Sequence, residues 1–188
     1  MFLIKIFAWW FRLKGWKVGK TIPANVKKCV VIAAPHTSNW DFVYSLGGAY
    51  LMGVRMRYLA KKELFKPPLG WIMRSTGGIP VVRDRNMNMV DTMIQLLQNS
   101  EQLHLMVPAE GTRKRVEKWK SGFYHVALGA GVPVQLAYLD YQKKEAGFGI
   151  TLTLTGDKEK DAAAIRAFYA DKTAKYPEQF NLNAIRFD

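Results

Sequence analysis

Val30-Val31-Ile32-Ala33-Ala34-Pro35-His36-Thr37-Ser38-Asn39-Trp40-Asp41 is a run of buried-strand residues that stops at a proline, delivers a histidine and places a carboxylate five positions further on. An apolar run closed by Pro35 reads as a core strand that has reached the edge of its sheet. In open α/β sheets ligands gather at the carboxyl ends of the strands, so His36 is carried to the rim where chemistry takes place. Residues five apart on one helix point about 140° away from each other. His36 and Asp41 therefore meet only if the chain turns between them. Thr37, Ser38 and Asn39 suit such a turn and an N-cap, with a helix starting near Asn39 or Trp40. A carboxylate beside an imidazole fixes its tautomer and stabilises the imidazolium, which makes the pair a candidate general base acting on a hydroxyl. A carboxylate also favours a helix N-terminus for purely structural reasons, and the pair alone leaves that reading open.

On either side of this stretch, strands and helices alternate. Strand patterns cover 54–60, 79–83, 103–107, 132–139 and 148–155, the last suited to a sheet edge with one wet face. Helical patterns cover 40–52, 61–65, 69–74, 89–97, 121–129 and 157–175, and 180–188 is loosely patterned. The order predicts an α/β fold, a single-domain sandwich with a central, mostly parallel sheet flanked by helices. Special sequences follow three of the strands, at His36, at Arg83 and at Glu110-Gly111-Thr112-Arg113. If those strands are parallel, all three converge on one rim. Arginine offers a planar fork for phosphate and a Gly-containing turn adds backbone donors, so the rim reads as a site that anchors a phosphorylated molecule and removes a proton from one of its hydroxyls.

Composition narrows the partners. A chain of 188 residues with 49% hydrophobic and 13% aromatic content suits one folded domain and argues against disorder. The net charge of +13 favours anionic partners: membrane surfaces, nucleic acids or phosphorylated metabolites. The aromatics follow no nucleic-acid signature, and no nucleic acid is expected. Cys29 is the one cysteine; it reads as a small core hydrophobe, and with three histidines it supplies no zinc spacing. His104, alternating within its strand, reads as structural.

The opening Met-Phe-Leu-Ile-Lys-Ile-Phe-Ala-Trp-Trp-Phe-Arg-Leu has Lys5 and Arg12 on one helical stripe and Phe2, Leu3, Ile6, Phe7, Trp10 and Leu13 around the rest. It is too short to span a bilayer. It reads as an N-terminal amphipathic membrane-interface segment over 1–20, followed by a catalytic domain over 21–188. Trp9, Trp10 and Trp16 would lie at headgroup depth, with Gly15 and Gly19 letting the segment swing free. The alternative is a helix packed on the domain. Residues 114–120 likewise read either as a lipid- or carrier-facing basic rim or as a solvated loop.

Four blocks in order make the chain resemble the glycerolipid acyltransferases, the His-x-x-x-x-Asp acyltransferases typified by 1-acylglycerol-3-phosphate acyltransferase. They are His36 to Asp41, Gly78-Ile79-Pro80-Val81-Val82-Arg83, Glu110-Gly111-Thr112-Arg113 and Gly131-Val132-Pro133-Val134. Pro35 stands where the family commonly has Asn, and Ala109 separates Pro108 from Glu110. The resemblance implies an enzyme, an O-acyltransferase, in which His36 is the base and Asp41 orients it. It implies that Arg83, Glu110, Gly111, Thr112 and Arg113 form the phosphate-binding region, and that Val132 and Pro133 serve acyl-donor binding or support. The acyl donor would be acyl-CoA or acyl carrier protein, a co-substrate with no further cofactor and no metal. The acceptor would be a lysophospholipid at a membrane lipid surface, and the protein would sit as a peripheral (monotopic) enzyme on the cytoplasmic face. A basic membrane-binding module without catalysis, or a thioesterase or lipid hydrolase using the same base on water, are the competing readings.

Overall fold

The structure, a computed structural model, describes residues 2–81 and 89–187. Its helices of α type are α1 (Phe2–Leu13), α2 (Trp40–Leu51), α3 (Leu69–Ser75), α4 (Met89–Gln98), α5 (Gly122–Ala130) and α6 (Lys158–Tyr169). The strands are β1 (Lys17–Val18), β2 (Lys28–Ala34), β3 (Met56–Lys61), β4 (Gly78–Val81), β5 (Leu103–Met106), β6 (Val134–Asp140) and β7 (Glu145–Leu152). They form one sheet in the order β1-β7-β6-β2-β5-β3-β4. The pairs β6–β2, β2–β5, β5–β3 and β3–β4 are parallel, and β7 runs antiparallel to β6. The expected mostly parallel α/β sandwich is what the chain adopts.

Alternation along β2 explains the two layers. Val30, Ile32 and Ala34 point into a core shared with α4, α5 and α6, while Cys29, Val31 and Ala33 point into a second core under α2. A strand buried on both faces has to be a continuous apolar run, which is why residues 30–34 decide the fold. Cys29 packs as a hydrophobe in that second core, where burial pushes its thiol up to about 12.

Four details depart from the sequence reading. The last strand is not the sheet edge: β1 pairs with it through Lys17 and Val18, two exposed residues that carry no strand period. The closing helix stops at Tyr169, and the Thr173 carbonyl beyond it accepts from the Tyr141 amide. The loosely patterned tail is core, with Ala184, Ile185 and Phe187 buried. The Trp119 amide donates to the Ala184 carbonyl and the Arg166 guanidinium to that of Ile185, tying the tail down.

The fourth departure concerns residues 1–20, which do not swing free. Ala8 and Phe11 of α1 are buried against α2, and a Cβ at Gly47 would stand 2.7 Å from the Phe7 carbonyl oxygen. The Gly47-Gly48 pair is what lets the two helices approach so closely. Trp16 is buried and stacks on Tyr44 at 4.5 Å, and Trp10 stacks on Trp40 at 5.9 Å. Neither is held out at headgroup depth. Gly19 is pinned by its amide to the Ala146 carbonyl. Phe2, Ile6, Trp9 and Leu13 on the outer stripe of α1 remain exposed. Among the described residues no helix is long and apolar enough to cross a membrane.

Candidate active site

Because β2 and β5 are parallel, the loops after Ala34 and Met106 leave the sheet at the same rim. His36 comes from the first and Glu110 to Arg113 from the second. Between His36 and α2 the chain makes the expected turn, and His36 Nδ1 lies 3.1 Å from Asp41 Oδ2. Asn39 is not a side-chain cap for α2. Asp41 takes that part instead: its Oδ2 accepts from the amides of Thr37 and Ser38, both at 2.8 Å. Both amide donors fix the oxygen that faces the ring. Asp41 is buried, while the His36 side chain is 32% exposed, so the ring is reachable and its partner is not.

A carboxylate accepting from Nδ1 places the ring proton there and turns Nε2 into the free acceptor. Nε2 has no hydrogen-bond partner among the described residues. The ring borders two cavities. One, about 370 Å³, runs between α2 and the sheet and is lined chiefly by Ala33, Phe42, Met106, Val107 and Pro108. The other, about 360 Å³, is lined by Thr112, Arg113 and Lys114 with Pro108 and Gly111. His36, Pro108, Gly111 and Arg113 border both. The imidazole of His36 thus lies between an apolar compartment and a basic one.

Glu110 does not face the basic cavity as an anion ligand. It is buried and its Oε1 accepts from the His36 amide at 2.8 Å, so it braces the loop that carries the base. Burial pushes this carboxyl up to about 7, against the pull of the His36 amide and ring. Ala109, the residue inserted in the third block, is buried in the larger core, and its carbonyl accepts from the Lys120 amide. Gly111 has φ +70°, a left-handed conformation that favours glycine, and the end of the Lys120 side chain lies over it.

Val132 and Pro133 are not brought to this rim. They precede β6, whose first residue pairs with Val30, and the Pro133 carbonyl accepts from the Val30 amide. Parallel pairing therefore places them at the opposite end of the sheet from His36, where a role in acyl-donor binding has no geometry to support it; what they support is β2. Arg83 lies outside the described residues. His104 is structural, with Nε2 3.0 Å from the Val26 carbonyl. Two partners escaped sequence reading. Tyr141 Oη donates to Asp41 Oδ1 at 2.5 Å, and Thr37 Oγ1 accepts from the Tyr176 amide. Both come from more than 90 residues away, beyond any local pattern.

A mostly parallel α/β sheet that brings a histidine and a buried carboxylate together at its rim defines the class of domain. The chain belongs to the acyltransferase family, whose description matches residues 17–138. A 1-acyl-sn-glycerol-3-phosphate acyltransferase of Haemophilus influenzae is 32% identical over 143 residues, which cover 70% of this chain and 58% of that protein. The chain thus spans under two thirds of that relative's length. Among solved structures, the 1-acyl-sn-glycerophosphate acyltransferase PlsC of Thermotoga maritima has the same fold, with TM-score 0.62 and 19% identity over 92% of this chain and 80% of that one.

Proposed function

We propose that the protein transfers a fatty acyl group from a thioester, acyl-CoA or acyl carrier protein, to a free hydroxyl of a lysophospholipid such as 1-acylglycerol-3-phosphate. The single observation that carries this reading is the placing of the Asp41-backed His36 between an apolar and a basic cavity. In that arrangement Nε2 takes the hydroxyl proton as the oxygen attacks the thioester carbonyl, and the buried Asp41 offsets the charge that appears on the ring. The carbon–oxygen bond forms, the carbon–sulfur bond breaks, and the thiolate leaves with the proton returned by the imidazolium. The apolar cavity suits an acyl chain; Arg113, with Thr112 and Lys114, suits the acceptor's phosphate. The acceptor's identity also draws on what the Haemophilus relative is named for.

Membrane association belongs to the same reading. The outer stripe of α1 and the exposed Leu69, Trp71 and Ile72 of α3 form an apolar surface, flanked by the exposed Lys5, Arg12, Lys61, Lys62 and Lys66. Such a surface fits the interface of an anionic bilayer, at the cytoplasmic face where soluble acyl thioesters are met.

Incubation with acyl-CoA and lysophosphatidate on vesicles is the test. The expected products are phosphatidate and free thiol in equal amounts, and His36→Ala abolishes both while the protein stays folded. Thiol release without acylated lipid would make the protein a thioesterase, and turnover retained in His36→Ala would remove the base from its role.

A further inference from the structure

Asp41 makes more contacts than a charge partner needs. Its Oδ2 is shared by the Thr37 and Ser38 amides and by His36 Nδ1, and its Oδ1 is held by Tyr141 from the turn between β6 and β7. Without a donor on Oδ1 the carboxylate would be held through one oxygen only, and its plane could twist about the last bond out of line with the ring. Tyr141 is itself fixed: its amide donates to the Thr173 carbonyl, and its ring sits edge-on to Trp16 at 4.9 Å and Tyr44 at 6.1 Å.

We propose that Tyr141 is a positioning residue for the base, holding the plane of the Asp41 carboxylate so that its lone pair stays in line with His36 Nδ1. The inference rests on His36 being the base. Burial and the neighbouring Asp41 carboxylate push the phenol far above its ordinary value, so Tyr141 stays a donor at any working pH. The device also sets how basic the pair is. Each donor that Asp41 accepts spreads its charge and weakens its hold on the imidazolium. Among the described residues, Glu110, Arg113 and Lys114 from the loop after β5, Tyr44 of α2 and Tyr176 of the C-terminal segment are the other titratable groups around the dyad.

Tyr141→Phe keeps the ring and removes the donor. The expected result is a loss of about tenfold in kcat with KM changed less than about twofold, because the lost bond acts on the base and not on substrate. The acid limb of kcat/KM moves to higher pH, since an Asp41 with one donor fewer holds the imidazolium more strongly. Nitrogen-15 NMR of the substrate-free protein should show one tautomer of His36, with the proton on Nδ1, in the wild type and a mixture in the variant. Tyr138→Phe is the control: it removes a comparable tyrosine–carboxylate bond, between β6 and Glu145 of β7, and should leave limb and tautomer in place. A fall in kcat with both unmoved would make Tyr141 a mere prop and overturn the proposal, as would unchanged kinetics. A tautomer mixture appearing in Tyr141→Phe, beside a wild type that transfers no acyl group, would instead sink the acyltransfer reading and leave the positioning role standing.

Discussion

Glu110 shows how one side chain ties the site to the stability of the whole chain. Its carboxyl is held at about 7 by burial, against an ordinary 4.5 in the unfolded chain. The folded form therefore binds this proton more tightly than the unfolded one, and the stabilisation is complete below about pH 4.5 and lost as pH rises through 7. Glu110→Gln keeps an oxygen for the His36 amide and cannot ionise. Its thermal midpoint should lose that group's slope between pH 4.5 and 7, leaving the variant about 2 kcal/mol more stable than the wild type at pH 8. Melts at pH 5 and pH 8 decide it: equal slopes for the two proteins would mean the carboxyl is solvated in a way its burial denies. The same residue was legible in sequence as part of the third block, but its direction was not. A carboxylate next to an arginine reads as part of an anion site, whereas the insertion of Ala109 into the core turns Glu110 inward, under the loop of the base.

At the scale of elements, the close contact of α1 with α2 rests on Gly47 and Gly48. Gly47→Val puts a branched side chain where the Phe7 carbonyl lies 2.7 Å from the site of a Cβ. The helices must separate, with a destabilisation of about 2 kcal/mol in urea unfolding and a change in Trp16 fluorescence as its stacking on Tyr44 loosens. An unchanged midpoint would show that α1 does not depend on this approach. The contact also shows where sequence reading stops. Elements with their own period were legible: β2 by its double-sided apolar run, α4 by its spacing of three and four, the turn at Thr37-Ser38-Asn39 by its residue types. Asp41 meeting His36 followed from that turn. What had no local signal was anything defined by a distant partner. Lys17 and Val18 become a strand only because β7 needs covering, Ile185 and Phe187 find a core built by α5 and α6, and Tyr141 reaches Asp41 from 100 positions away. Gly47-Gly48 was visible, yet a glycine pair in a helix states only that something approaches, not what.

The whole molecule places its chemistry and its apolar surface on the same side. The larger cavity lies between α2 and the sheet, and α1 and α3 belong to the layer that covers that face. Trp9 of α1 and Trp71 of α3 are 61% and 72% exposed, while the net charge of +13 supplies long-range attraction to an anionic surface. Two forces of different kind then make separable predictions. Burial of one such ring in the bilayer interface is worth about 1.5 kcal/mol, so Trp9→Ala and Trp71→Ala should each lower partitioning onto anionic vesicles about tenfold and together about a hundredfold. Thermal midpoints should stay in place, because neither ring contributes to the core. Added salt weakens the lysine and arginine part within a Debye length of about 10 Å at 0.1 M, lowering binding of wild type and variants by the same factor. Turnover of a short-chain acceptor free in solution should survive both substitutions, since neither residue borders His36, whereas turnover of vesicle-bound lysolipid should fall with partitioning. Vesicle sedimentation against salt measures the first pair of effects and product formation the second. Undiminished binding of the double variant would mean that the exposed rings of α1 and α3 face something other than lipid.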